Sequence, residues 1–170
     1  MLIETSRFGT LDVEESKFIR FPWGIPAFED LKRFILMEHG SGPIHWLQAV
    51  DDPSVAFVVC PPEIPGVSYR IPPHKKEPIQ LEDDQDLVIL NLVSSMPDQN
   101  LLRFHVRNPL LFNTAMRLAY QWSIDPEDLP KYLETRNGVA LSPDPEDPTG
   151  TAAFIYWKRE KTEKARPVSK

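Results

Sequence analysis

Cysteine, glycine and long uninterrupted stretches are scarce in this 170-residue chain, and each scarcity closes off a class of protein. Cys60 is the lone cysteine, so no disulfide forms within the chain, and with four histidines there is no cysteine-type zinc site. None of the seven glycines falls in a Gly-rich phosphate loop or a dinucleotide fingerprint, which removes those nucleotide enzymes. No apolar run approaches the roughly twenty residues of a membrane helix. Met1-Leu2-Ile3-Glu4 lacks the basic and apolar regions of a signal peptide, so a cytoplasmic protein with no membrane partner is expected. Eighteen prolines leave no proline-free stretch much past twenty residues, which excludes long helices and coiled coils. What is present, 41% hydrophobic and 26% charged residues, is ordinary for one globular domain with a real core.

Charge is unevenly spread. Residues 151–170 hold six basic side chains against two acidic ones and carry +4, so the body, 1–150, holds −10 of a total of −6. Nucleic-acid binding draws on clustered Lys and Arg, so direct binding by the body is not expected. The same field serves solubility and would speed the approach of a basic protein.

Short strand-like runs punctuated by turn formers dominate: Thr10–Val13, Lys17–Phe21, Arg33–Met37, Ile44–Val50, Val55–Cys60, Leu87–Val93 and 101–107. Leu87–Val93 is apolar on both faces until Asn91, which places it at the centre of the core. Residues 110–122 fit a helical stripe at Leu111, Ala115, Leu118 and Trp122, but alternation matches more of them, so a strand with a break near Asn113-Thr114 is expected. Short helices are expected at Phe28–Lys32 and at Pro126–Glu134, the second N-capped by Asp125. The fold class is therefore mostly β, a small antiparallel barrel or sandwich with one or two short helices. Residues 1–134 form the β domain, 135–150 a proline-rich linker, and 151–170 a basic tail with the apolar segment Ala152–Trp157. That segment is open to three readings: an added edge strand, a docking peptide, or a stray end.

No constellation suits catalysis. His39, His45, His74 and His105 are well separated, and Cys60 ends an apolar run where a thiol is a small hydrophobe with a raised pKa. Glu82, Asp83, Asp84 and Asp86 form the densest carboxylate cluster, either a solvated turn ahead of Leu87 or a face for a cation or an arginine-rich partner. Without nucleophile, base or oxyanion site, a binding role is the default and no cofactor is expected. A hydrolase using Asp51 and Asp52, or Glu82 and Asp86, is one rival reading. A β-sheet interaction module with its partner set by Phe154–Trp157 is another.

Five stretches in order resemble the flagellar assembly factor FliW family. They are Thr5–Gly9, Phe21–Glu29, Trp46-Leu47-Gln48 followed by Pro53 and Ala56–Pro61, Leu81–Val93, and His105–Asn113 with Gln121 beyond; the resemblance spans residues 2 to about 124. Arg7, Phe8, Gly9, Phe21, Gly24, Pro26, Phe28, Trp46, Gln48, Phe57, Pro109 and Asn113 carry it, mostly as framework: turn formers and large apolar groups. Ala27 stands where the family's turn has glycine, so a positive φ there would strain it. Ala49, His105 and Asn108 also depart from the pattern. The resemblance implies a cytoplasmic, non-enzymatic regulator that binds newly made flagellin or, alternatively, the RNA-binding translational repressor CsrA, and so antagonises CsrA. A chain that is monomeric when free is expected, with Glu82, Asp83, Asp84 and Asp86 meeting CsrA's arginines.

Overall fold

The computed structural model describes residues 1–38, 40–96, 101–136, 141–144 and 147–156. In chain order the elements are β1 (Leu2–Thr5), β2 (Gly9–Asp12), β3 (Ile19–Arg20), β4 (Arg33–Glu38), β5 (His45–Ala49), β6 (Ala56–Cys60), β7 (Val67–Tyr69), α1 (Pro73–Lys76), β8 (Leu87–Met96), β9 (Leu101–Phe104), β10 (Leu110–Asn113), β11 (Leu118–Gln121), α2 (Leu129–Tyr132), β12 (Leu133–Thr135), β13 (Leu141–Asp144) and β14 (Asp147–Tyr156).

The sheet closes on itself. β6, β8, β10, β11, β3, β4 and β5 form a ring, antiparallel except where β11 meets β3 at Leu118 and Arg20. Closure leaves the seven strands no free edge along the ring. The long strand β8 makes this possible: its first half pairs with β10, its middle with β6 and its last residues with β9. From β9 the sheet continues outward to β14 and β13.

Packing explains why β8 and β10 are apolar on successive residues. Leu90, Leu92, Leu110 and Phe112 point into the barrel with Phe21, Phe34, Leu47 and Val59. Leu87, Ile89, Val93 and Leu111 point outward into a second cluster with Ile79, Val106, Trp122 and Leu129. A strand between two cores cannot alternate polar and apolar. Each fully buried large side chain contributes about 1.5–3 kcal/mol. Val88 is the exception in β8, 37% exposed. Asn91, buried in the same strand, donates to the Tyr69 hydroxyl at 2.8 Å, and that hydroxyl donates to the Val106 carbonyl at 2.5 Å, tying the β7–β12 pair to the barrel.

Several expectations are corrected. Lys17 lies in a 3-10 turn, Glu15–Lys17, so the strand expected over Lys17–Phe21 shrinks to Ile19–Arg20. Phe28–Lys32 is not helical: Ile25 and Phe28 bridge across a reversal, and the Phe28 N–H is spent on the Ile25 carbonyl. At Pro126–Glu134 a 3-10 turn, Pro126–Asp128, leads into α2, which stops at Tyr132 because Leu133 is extended and pairs with Tyr69. Asp125 makes no side-chain cap. Within the expected linker 135–150, Thr135, Leu141–Asp144 and the start of β14 are strand, held by pairing that proline content does not reveal. Residues 151–156 take the first of the three readings, an added strand, whereas Trp157 and the basic run to Lys170 lie outside the described residues, as does His39.

Candidate protein-binding surface

The framework residues build two fastenings that hold the loops around the barrel. At the first, the Thr5 hydroxyl accepts from the Phe8 N–H and donates to the Gly9 carbonyl, both at 2.8 Å, with Gly9 at φ 72°. This turn lays the Arg7 guanidinium over the Trp46 ring at 4.7 Å and sets Phe8 edge-on to the same ring. Beneath it, the buried Gln48 amide donates to the Ala49 and Val55 carbonyls at 3.0 and 3.1 Å, fixing the 51–55 loop.

At the second, Phe21 packs edge-on to Phe34 and Phe112, and Phe28 edge-on to Phe57. Gly24 at φ 67° and Ala27 at φ 74° turn the chain between them. The Glu29 carboxylate accepts from the Ala27 N–H at 2.9 Å, and main-chain N–H groups hold that carboxyl below its usual range. Pro26 here joins Trp23, Glu29, Pro78 and Tyr120 around a shallow dish of about 390 Å³, in which Trp23 is 56% exposed. Pro109 closes the barrel end by accepting from the Trp122 N–H.

The acidic stretch follows Pro78 along the chain. Buried Asn113 anchors it: its amide N–H donates to the Ile79 and Gln80 carbonyls at 2.8 and 3.2 Å, and its oxygen accepts from Ala115 and Met116 N–H. The Asp83 carboxylate accepts from the Gln85 N–H at 2.9 Å and caps the 3-10 turn Asp84–Asp86, while Asp84 pairs with Lys76 at 2.9 Å. The Asp86 carbonyl accepts from the Thr114 N–H and hydroxyl. Glu82, Asp83 and Asp84 stay exposed and Asp86 half-buried, in the solvated turn ahead of β8. Two exposed apolar residues stand near them: Val88 is the second residue of β8, and Met116, 48% exposed, lies in the β10–β11 turn that Asp86 fastens. The sequence singled out the acids and missed these two, because Val88 reads as core and Met116 as one position of the alternating face of 110–122. The β8–β10 register, which sets Leu87 against Asn113, and the Asp86–Thr114 bonds bring the Met116 turn to the end of the barrel where the acids and Val88 lie.

The rival chemistry finds little support. Asp51 is engaged by Arg33 at 2.5 and 3.1 Å, and Asp52 by the Ser54 N–H and hydroxyl. Both carboxyls lie below their ordinary range through those bonds, opposite to what a general acid at neutral pH requires. Ser94 and His105 meet at 2.8 Å in a groove of about 500 Å³, but the Arg103 guanidinium also approaches the same ring nitrogen at 3.3 Å and competes for its lone pair. Burial pushes the Cys60 thiol up to about 12, so it is no thiolate at neutral pH. Among the described residues no cluster of three or more His, Cys, Asp or Glu could hold a metal, and no helix is long and apolar enough to cross a membrane.

Comparison with known proteins gives a consistent answer. The family model described as "FliW protein" matches residues 2–133. A flagellar assembly factor FliW of Alkaliphilus metalliredigens (strain QYMF) is 33% identical over 131 residues, covering 75% of this chain and 81% of the relative. One from Moorella thermoacetica (strain ATCC 39073 / JCM 9320) is 36% identical over 126 residues, covering 71% and 79%. A crystal structure of the flagellar assembly factor FliW superposes with a TM-score of 0.67 at 25% identity, over 73% of this chain and 89% of that one.

Proposed function

The chain belongs to the FliW family, and from that premise we propose that it is a cytoplasmic flagellar assembly factor, monomeric when free, that works by binding proteins and not by catalysis. Its two partners are flagellin and the translational repressor CsrA, held alternatively. Excess flagellin occupies the chain and frees CsrA to repress flagellin synthesis; export of flagellin frees the chain to antagonise CsrA.

The observation that carries this reading is the exposed turn Glu82–Asp86 beside Val88 and Met116 on an acidic body. An RNA-binding protein must present arginine and lysine to phosphate, and carboxylates mimic that target through paired hydrogen bonds. Adjacent apolar side chains supply the desolvated contacts that exposed ion pairs do not. The charged end would set the association rate and its salt dependence.

The test is a titration of the chain with its host's CsrA at two salt concentrations, repeated with saturating flagellin. Saturable binding that salt weakens and flagellin abolishes is expected; no binding to either protein would sink the proposal. To map the site, Glu82→Gln, Asp83→Asn, Asp84→Asn and Asp86→Asn are combined, because asparagine keeps the cap on the Gln85 N–H. The on-rate and its salt slope should both fall, and an unchanged pair of values removes this turn from the interface.

A further inference from the structure

The two edges of β9 are used differently. One pairs with β8 inside the family-matched region; the other pairs with β14, from Leu101↔Tyr156 to Phe104↔Ala153, wholly beyond residue 133 where that match ends. Take β14 away and the alternate main-chain groups of Leu101-Leu102-Arg103-Phe104 that do not bond β8 face outward as an open edge, on which another extended segment can add by hydrogen bonding. The hairpin partner β13 ends the sheet. It carries Pro143, and the register shifts between Pro143 and Asp144, both features that stop further pairing at an outer edge. The last two elements thus exchange an adhesive edge for a blunt one. The segment set against β9, Ala153-Phe154-Ile155-Tyr156, has the β-branched and aromatic composition that favours strand.

We propose that the outer edge of β9 is a strand-addition site for an extended, β-branched and aromatic partner segment, and that residues 153–156 of this chain occupy it as a displaceable stand-in. This edge is independent of the acidic turn and of the partner pair proposed above. Being tethered, the stand-in acts at an effective concentration on the order of millimolar, so a free peptide of equal quality cannot compete at micromolar concentration. A partner segment must fit better, or release of the tail must come first.

The full-length chain carrying Phe154→Pro and Ile155→Pro tests this. Successive strand residues aim their N–H groups at opposite edges, so one of the two prolines removes a donor facing β9. The probe is a fluorescently labelled peptide of residues 149–159, followed by anisotropy, with hydrogen exchange read at Leu101–Phe104. Expected are lost protection in the variant at the alternate amides of that stretch that face β14, those facing β8 staying protected, saturable peptide uptake at least tenfold tighter than by the parent, and protection restored by the peptide. Equal uptake by both chains, none by the variant, or unchanged protection overturns the proposal. So does a variant that dimerises through β9 without taking up peptide, which would make a second copy the occupant.

Should the prolines prevent folding, a protease site placed within 137–140 and cleaved in the folded protein leaves both strands intact. Excess peptide should then displace the nicked tail. A tail that cannot be exchanged overturns the proposal equally.

Discussion

Ala27 occupies the left-handed region at φ 74°, where a Cβ costs about 1–2 kcal/mol. Glycine relieves that strain but loses more entropy on folding, so Ala27→Gly should raise stability by about 0.5 kcal/mol, seen as a higher urea midpoint with an unchanged slope. Gly24 is the opposite case. It too has positive φ, and a Cβ there would stand 2.6 Å from the Glu29 Cα and 2.7 Å from its carbonyl oxygen, backbone atoms that cannot swing aside. Gly24→Ala should cost about 3 kcal/mol or more in the same assay. Asp51 links stability to pH. Its carboxyl is depressed chiefly by the hydrogen bond from Arg33, against the opposing pull of burial. The stability it contributes is therefore complete above the unfolded carboxyl's pKa and is lost as pH falls through the lower folded value. The pair is half exposed, so Asp51→Asn should cost only about 0.5 kcal/mol at pH 7, and urea titrations of parent and variant should converge as the pH falls through the folded carboxyl's lowered value.

At the scale of elements, Asn113 fastens two pieces of chain at once, the 3-10 turn Glu77–Ile79 and the β10–β11 turn. Asn113→Ala leaves the buried Ile79 carbonyl without that donor, so a loss of about 2 kcal/mol is expected, with faster hydrogen exchange at Ala115 and Met116. Both its neighbours and its role explain what the sequence disclosed. β4, β5, β6 and β8 were legible as apolar runs between turn formers, and the β10–β11 hairpin as alternation broken near Asn113-Thr114. β1, β7, α1 and β12 were not, because each has only three or four residues, too few for a period to declare itself, and the last three are held by partners far along the chain: Leu133 by Tyr69, and α1 by the Tyr120 hydroxyl on the Lys75 carbonyl. The same limit divides the candidate site. Glu82, Asp83, Asp84 and Asp86 are clustered and visible; Val88 follows them along the chain but reads as core, and Met116 joins them only through the β8–β10 pairing and the Asp86–Thr114 bonds. Likewise the φ of residue 27 could be anticipated from the family's glycine, whereas Trp23 meeting Tyr120 could not.

Seen whole, the molecule is a closed ring with one short seam. β3 and β11 share a single register pair, and Arg117 stitches it: its guanidinium donates to the Lys17 and Phe18 carbonyls at 2.5 and 3.2 Å while its own carbonyl accepts from Arg20. Arg117→Ala should cost about 2 kcal/mol and act mainly on the unfolding rate if the seam forms after the transition state, which stopped-flow unfolding would read directly. That seam has a consequence for the order of events on the ribosome. Its two sides lie about a hundred residues apart, so β3 through β8 are synthesised long before their ring can shut. Until Gln121 has cleared the exit tunnel, the nascent chain is an open curl with two bare rims and an uncovered aromatic lining, and a chaperone would find it most exposed in that interval.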